Sequence, residues 1–170
     1  SRREGSVSVD TVSTAGKVTV LPLKDRLTEP ERAYLAGLFD GEGCVGYYKR
    51  KGNRTKYCYV SVVLITQSDF RLMIWLEKVG FGGTTTRAGK KHFEYHWQAN
   101  KKSDVVEFLE AVEPYLVLKG EQARVLLNHL AAEGTEPFKK GFVTPEVLAE
   151  RDRVYREMRR LKTCNMLTIH

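Results

Sequence analysis

The chain has 170 residues, with 28 Lys and Arg against 21 Asp and Glu, a formal net charge of +7 and a pI near 9.3. That length suits one ordinary domain with its own core, and the basic balance favours a polyanionic partner, nucleic acid first, through phosphate neutralisation. Cys44, Cys58 and Cys164 form no CxxC pair, which argues against a zinc ribbon or a disulfide scaffold and for a reduced, intracellular setting, cytoplasmic or organellar. No apolar run approaches the ~20 residues that cross a bilayer, so no membrane partner is expected.

Residues 1–27 are rich in Ser, Thr and Val with little periodicity, and are expected to be an N-terminal extension, extended or mobile. Residues 28–170 are expected to form a single domain. Thr28-Glu29-Pro30-Glu31 has the form of a capping box with proline in the first turn, opening a helix that runs to about Asp40, where Gly41 and Gly43 end it. Ala33, Gly37 and Gly41 recur at i, i+4 and i+8, a stripe without bulky side chains that permits close approach of a second helix. The same helix ends on Asp40 and Glu42, two acids at the negative end of the helix dipole, where an acid is disfavoured by up to about 1 kcal/mol.

Cys44–Lys51 and Lys56–Thr66 are β-branched and aromatic, and the intervening "KGNRT" predicts a hairpin with a basic tip. A helix follows over Ser68–Val79, with Ser68 as its cap. A second hairpin is predicted from Phe81–Arg87 and Lys91–Ala99. In "HFEYHWQ" Phe93, Tyr95 and Trp97 alternate with His92, Glu94, His96 and Gln98, so the aromatics should pack on helices and the polar row should lie on the open sheet face. Helices are predicted over Ser103–Val112 and Gly120–Ala132, and a last, strongly basic one from Pro145, capped by Thr144. His129 and His170 fall in no motif. The order α-β-β-α-β-β-α-α-α predicts an α+β domain, an antiparallel sheet with helices on one face.

"LAGLFDGEG" (Leu35–Gly43) closely resembles the motif of the LAGLIDADG homing endonucleases, whose core is αββαββα with a saddle-shaped sheet. "ITQSDFR" (Ile65–Arg71) and "YLVLKGEQA" (Tyr115–Ala123) are similar to two further segments of that family, in the same order and with the same intervening elements. The resemblance spans roughly Thr28 to Gly134. It implies that Glu42 and the carbonyl of Gly41 hold a divalent metal, Mg²⁺ with Mn²⁺ or Ca²⁺ able to take the site. It implies that Gln67, Arg71 and Lys119 ring that metal as the catalytic polar pocket, and that Asp40 serves the helix end. The chain has Glu42 where the eponymous motif has Asp. With one motif per chain, the family pattern is a homodimer in which Ala33, Gly37, Asp40 and Gly41 meet their copies at a twofold axis; the alternative is that the stripe packs within its own chain.

The implied function is a site-specific endonuclease that makes a double-strand break across the minor groove of a long, near-palindromic target, as in intron or intein homing. The rival is a non-catalytic nucleic-acid binder on the same fold, a splicing maturase or transcription regulator. The DNA-facing residues expected are Tyr48, Arg50, Lys51, Asn53, Arg54 and Lys56 in the first hairpin and Thr85, Arg87, His92, Glu94, His96 and Gln98 in the second. Either face of the strand over Tyr57–Ile65 is apolar enough to be core, so its parity stays open. If Val60, Val62 and Leu64 face DNA, they would meet thymine methyls. The arginine-rich last helix is either a solvated face laced with Glu150 and Glu157 or a track for flanking phosphate.

Overall fold

A computed structural model describes residues 21–52, 57–79, 84–88, 94–134 and 143–167. The first long helix, α2 (Glu29–Glu42), starts as its sequence dictates. The Thr28 hydroxyl accepts the Glu31 N–H, the Glu31 carboxylate accepts the Thr28 N–H at 2.8 Å, and proline occupies the first turn. The helix runs two residues past Asp40, and Gly43 is extended (φ −95°, ψ 167°) rather than left-handed. Glycine is needed there for another reason: a Cβ at Gly43 would collide with the ring and carbonyl of Phe39.

Within the stretch expected to be extended or mobile, Leu23–Arg26 form a one-turn helix, α1. Leu23 and Leu27 are buried, and Glu107 accepts both the Leu23 N–H (2.6 Å) and the Arg26 guanidinium (3.0 Å). Four residues are too few to show a period, so this turn has no sequence signature.

Strands β1 (Gly43–Arg50), β2 (Cys58–Gln67), β3 (Thr84–Ala88) and β4 (Glu94–Ala99) make one antiparallel sheet in the order β1-β2-β4-β3. Helix α3 (Phe70–Lys78) is capped by Asp69, whose carboxylate accepts the Arg71 N–H, and not by Ser68 as expected; the Ser68 N–H bonds instead to the Gln67 side chain. The chain continues through α4 (Lys102–Val112), a 3₁₀ turn at Glu113–Tyr115, α5 (Gly120–Glu133) and α6 (Pro145–Leu167). The Thr144 hydroxyl accepts the Val147 N–H, as its capping position predicts.

The core joins one sheet face to the helices. Val45, Tyr47, Val63, Ile65, Trp97 and Ala99 are buried with Leu35, Phe39, Phe108 and Leu126. Phe108 packs edge-on to Phe39, centroids 4.9 Å apart, and tilted against Trp97 at 5.5 Å. Trp97 and Tyr95 thus face the helices, as the alternation predicts.

The register resolves the open parity. Residues directly opposite in an antiparallel pair share a face. Val63 and Ile65 are buried, so Val60, Val62 and Leu64 lie on the open face with Cys44, Gly46, Tyr48 and Arg50. Thr84, Thr86 and Ala88 stand in register with Gln98, His96 and Glu94, whereas Thr85 and Arg87, expected beside that polar row, stand in register with Trp97 and Tyr95. A one-residue slip exchanges the partners, and "TTTRA" has no alternation to select the register.

Helix α6 is anchored on the β1 edge. Asp152 accepts Lys49 Nζ at 2.6 Å and the Tyr59 hydroxyl at 2.9 Å, contacts that hold its carboxyl well below the usual carboxylate range. Glu133 of α5 takes Arg151 at 2.6 Å and Lys102 at 3.1 Å. The outward arginines pair along the helix, Arg153 with Glu150 and Arg160 with Glu157. The laced, solvated face is therefore present, and such exposed pairs add at most about 0.5 kcal/mol each. Cys44 and Cys58 stand at opposite ends of the first hairpin, across from Leu64 and Arg50, so strand adjacency does not bring the thiols together.

Candidate active site and nucleic-acid interface

The two acids at the end of α2 have different fates. The Asp40 carboxylate accepts the backbone N–H groups of Val117 (2.7 Å), Leu118 (3.2 Å) and Lys119 (2.9 Å), the residues that lead into α5. It therefore sits at the positive end of a second helix, which offsets its place at the negative end of its own. Lys119 returns the interaction: its ammonium donates to the backbone carbonyl of Asp40. An α-helix leaves its last four carbonyls without an intrahelical partner. Here Phe39 receives the Gly43 N–H and Asp40 receives Lys119, and Gly41 is one of the remaining two.

Glu42 is exposed. Its position is fixed from both sides, by the end of α2 and by the start of β1 in register with β2. Among the described residues no three His, Cys, Asp or Glu side chains gather as a metal cage. The donors available are the Glu42 carboxylate and helix-end carbonyls, all hard oxygens open to solvent. That set fits Mg²⁺, which keeps several of its waters and takes few protein carboxylates. Lys119 places a positive charge at the same helix end.

Gln67 ends β2, two residues beyond Ile65, the register partner of Gly43, and Arg71 stands in the first turn of α3. They line a cleft of about 680 Å³ with Pro30, Glu31, Tyr34, Asp69, Leu72 and Trp75, a lining that includes neither Glu42 nor Lys119. Gln67 accepts the Ser68 N–H at 2.8 Å. Arg71 is 90% exposed and is held in a fork by Asp69, with contacts of 2.6 to 3.2 Å. That pairing holds the Asp69 carboxyl down at about 2. Asp69 was not among the expected site residues; its i, i+2 spacing to Arg71 beside a helix start is the signal that could have marked it.

The small-residue stripe faces outward. Ala33, Gly37 and Gly41 are exposed, and a Cβ at Gly37 or Gly41 would meet nothing within 4 Å. The alternative in which the stripe packs against a helix of its own chain does not hold among the described residues. On the open sheet face, Tyr48, Arg50 and Glu94 are exposed and His96 and Gln98 are half-buried, with Lys51 exposed beyond β1. Asn53, Arg54, Lys56 and His92 lie outside the described residues.

The core runs α2-β1-β2-α3-β3-β4-α4, with two acids at the end of its first long helix. Residues 29–113, half the chain, match the LAGLIDADG-like domain, and the chain belongs to that family. No curated protein matches it at a significant level. Among solved structures, the homing endonuclease I-CvuI, in complex with the I-CreI target in the presence of Mg with the DNA not cleaved, superposes with a TM-score of 0.66 at 21% identity, over 78% of this chain and 82% of that one. The homing endonuclease I-TnaI gives 0.56 at 22% identity, over 82% and 97%. The meganuclease I-SmaMI bound to uncleavable DNA gives 0.61 at 18% identity, over 76% of this chain and 45% of that one. At these identities the likeness establishes the shared fold. Among the described residues no helix is long and apolar enough to cross a membrane.

Proposed function

We propose that the protein is a homodimeric, divalent-metal-dependent, site-specific DNA endonuclease. The observation that carries this reading is the division of labour at the end of α2: Asp40 is engaged by backbone N–H groups and its carbonyl by the Lys119 ammonium, while Glu42, two residues on, stays exposed. A pure binder has no need to present a carboxylate toward a polyanion. Glu42 and the Gly41 carbonyl would hold the metal, which supplies charge neutralisation at a scissile phosphate and a more acidic water. Lys119 adds a fixed positive charge for the developing phosphorane or leaving oxygen. Gln67, at the end of β2, and Arg71, in the first turn of α3, would reach the phosphates around it.

One carboxylate per chain is a sparse metal site, and the outward Ala33/Gly37/Gly41 stripe offers the remedy. Two copies packed along it would bring two Glu42 residues to one dyad, and a twofold dimer expects a near-palindromic target. The +7 charge and the known binding of DNA by structural relatives support the substrate class. Selection of cleaved sites from a random duplex library with Mg²⁺ tests the reading. A palindromic cleaved site is the expected result. Enrichment of bound but uncut DNA would favour the non-catalytic binder.

A further inference from the structure

The open face of β1 and β2 differs in chemistry from that of β4. On β4 this face carries Glu94, His96 and Gln98, with donors and acceptors throughout. On β2 it carries Val60, Val62 and Leu64, all half-buried, with no hydrogen-bonding side-chain atom among them, before Thr66 opposite His96 returns a hydroxyl. Across from Val62 stands Gly46, and a Cβ there would collide with the Tyr48 ring. The tyrosine ring therefore lies down over the glycine instead of standing off the sheet. The Tyr48 ring, Val60, Val62 and Leu64 stand in adjacent register on this face; at its β1 edge Lys162 Nζ lies 5.6 Å from the Tyr48 ring centroid and 3.5 Å from Cys44 Sγ, which is 3.9 Å from the Tyr48 hydroxyl.

Such a strip faces a constraint if it enters a major groove. Base edges there are mostly donors and acceptors, and covering them with apolar groups leaves them unpaired, at a cost of about 1–3 kcal/mol each. The exception is the C5 methyl group of thymine, an apolar patch on an otherwise polar edge. From Val60 to Leu64 is about 13 Å along the strand, close to four base-pair steps. Leu64 lies at the Glu42 end and Val60 toward the hairpin tip.

We propose that the Tyr48 ring, Val60, Val62 and Leu64 read C5 methyl groups, so that the base pairs between the cleavage centre and the hairpin-tip contacts are selected for thymine. This inference rests on the endonuclease reading above and adds the chemistry of the inner half-site. The polar row Glu94, His96 and Gln98 would read other positions through hydrogen bonds.

The test uses wild-type protein and its selected duplex. Each thymine is replaced in turn by deoxyuridine, which removes only the methyl group. At about four inner positions per half-site, affinity should fall about three- to fivefold per methyl, while deoxyuridine elsewhere should leave it unchanged. Replacing an inner thymine by 5-methylcytosine paired with guanine should bind more tightly than unmethylated cytosine at that position. Val62→Ala should weaken binding to the thymine duplex by no more than that roughly three- to fivefold share and leave binding to the duplex with deoxyuridine at the same position unchanged, so that the thymine-over-uracil preference there is reduced. The inference is overturned if the selected inner positions are not thymine, or if deoxyuridine there binds as tightly as thymine. Methyl-insensitive binding with intact cleavage would sink this inference alone. Failure to bind any duplex would remove both it and the endonuclease reading.

Discussion

Asp40 and Lys119 clamp each other across 79 residues of chain. The Asp40 carboxylate accepts the Lys119 N–H at 2.9 Å, and the Lys119 ammonium donates to the Asp40 carbonyl. Each residue serves the other's helix end, the acid at the approach to α5 and the base at the close of α2. The pair also fixes where Lys119 stands relative to Glu42, two residues beyond Asp40.

Asp40→Ala should therefore disturb both stability and chemistry. Three N–H groups lose one acceptor, but Val117 and Leu118 are exposed enough for water to replace part of it. A loss of about 1–2 kcal/mol is expected in urea denaturation. Cleavage should fall further than stability explains, because Lys119 is no longer held, although Glu42 is untouched.

Gly37→Leu separates fold from assembly. The position is an exposed helix interior with no atom near a built Cβ, so the isolated chain should keep its stability or gain up to about 1 kcal/mol from helix propensity. Sedimentation equilibrium should show the dimer lost. A variant that dimerises as tightly as the wild type would contradict use of the stripe.

Tyr47 and His129 form a buried pair whose protonation matters. The Tyr47 hydroxyl lies 2.9 Å from His129 Nε2 at the β1–α5 contact. Burial lowers the His129 pKa from 6.5, opposed by the charge of Glu133 and Glu150 and assisted by Arg151 and Lys102. The unfolded chain thus binds this proton more readily, so stability should be full above pH 6.5 and decline as the pH falls through that value. Glu133, whose pKa is also lowered, adds a further loss below its usual 4.5. Thermal melts from pH 8 to 5 should show the first decline. His129→Leu should abolish it and cost about 1–3 kcal/mol by leaving the tyrosine hydroxyl unpaired.

Arg71→Ala should change stability by no more than about 0.5 kcal/mol, because its partner Asp69 is within the same exposed turn. Any larger effect on cleavage then reports contact with DNA.

The parts of this architecture written in local chemistry were legible in the sequence. Thr28 and Glu31 announce α2, the aromatics of β4 announce their buried face, and Leu35–Gly43 announce the family. Relationships between distant residues were not. Asp40 carries no sign that it will bond residues 117–119, and His129 none that it will meet Tyr47 from 82 residues away. Gly43 reads as a helix terminator, yet its need comes from the Phe39 ring. The register of β3 was illegible because three consecutive threonines suit either face.

Glu42→Gln tests the central claim most directly. The exchange removes a charge from an exposed side chain and leaves the Asp40–Lys119 clamp and the open sheet face in place. On a selected duplex with Mg²⁺, the wild type should cut both strands, and the variant should bind with similar affinity and cut neither. Cleavage by Glu42→Gln at the wild-type rate would contradict the assignment.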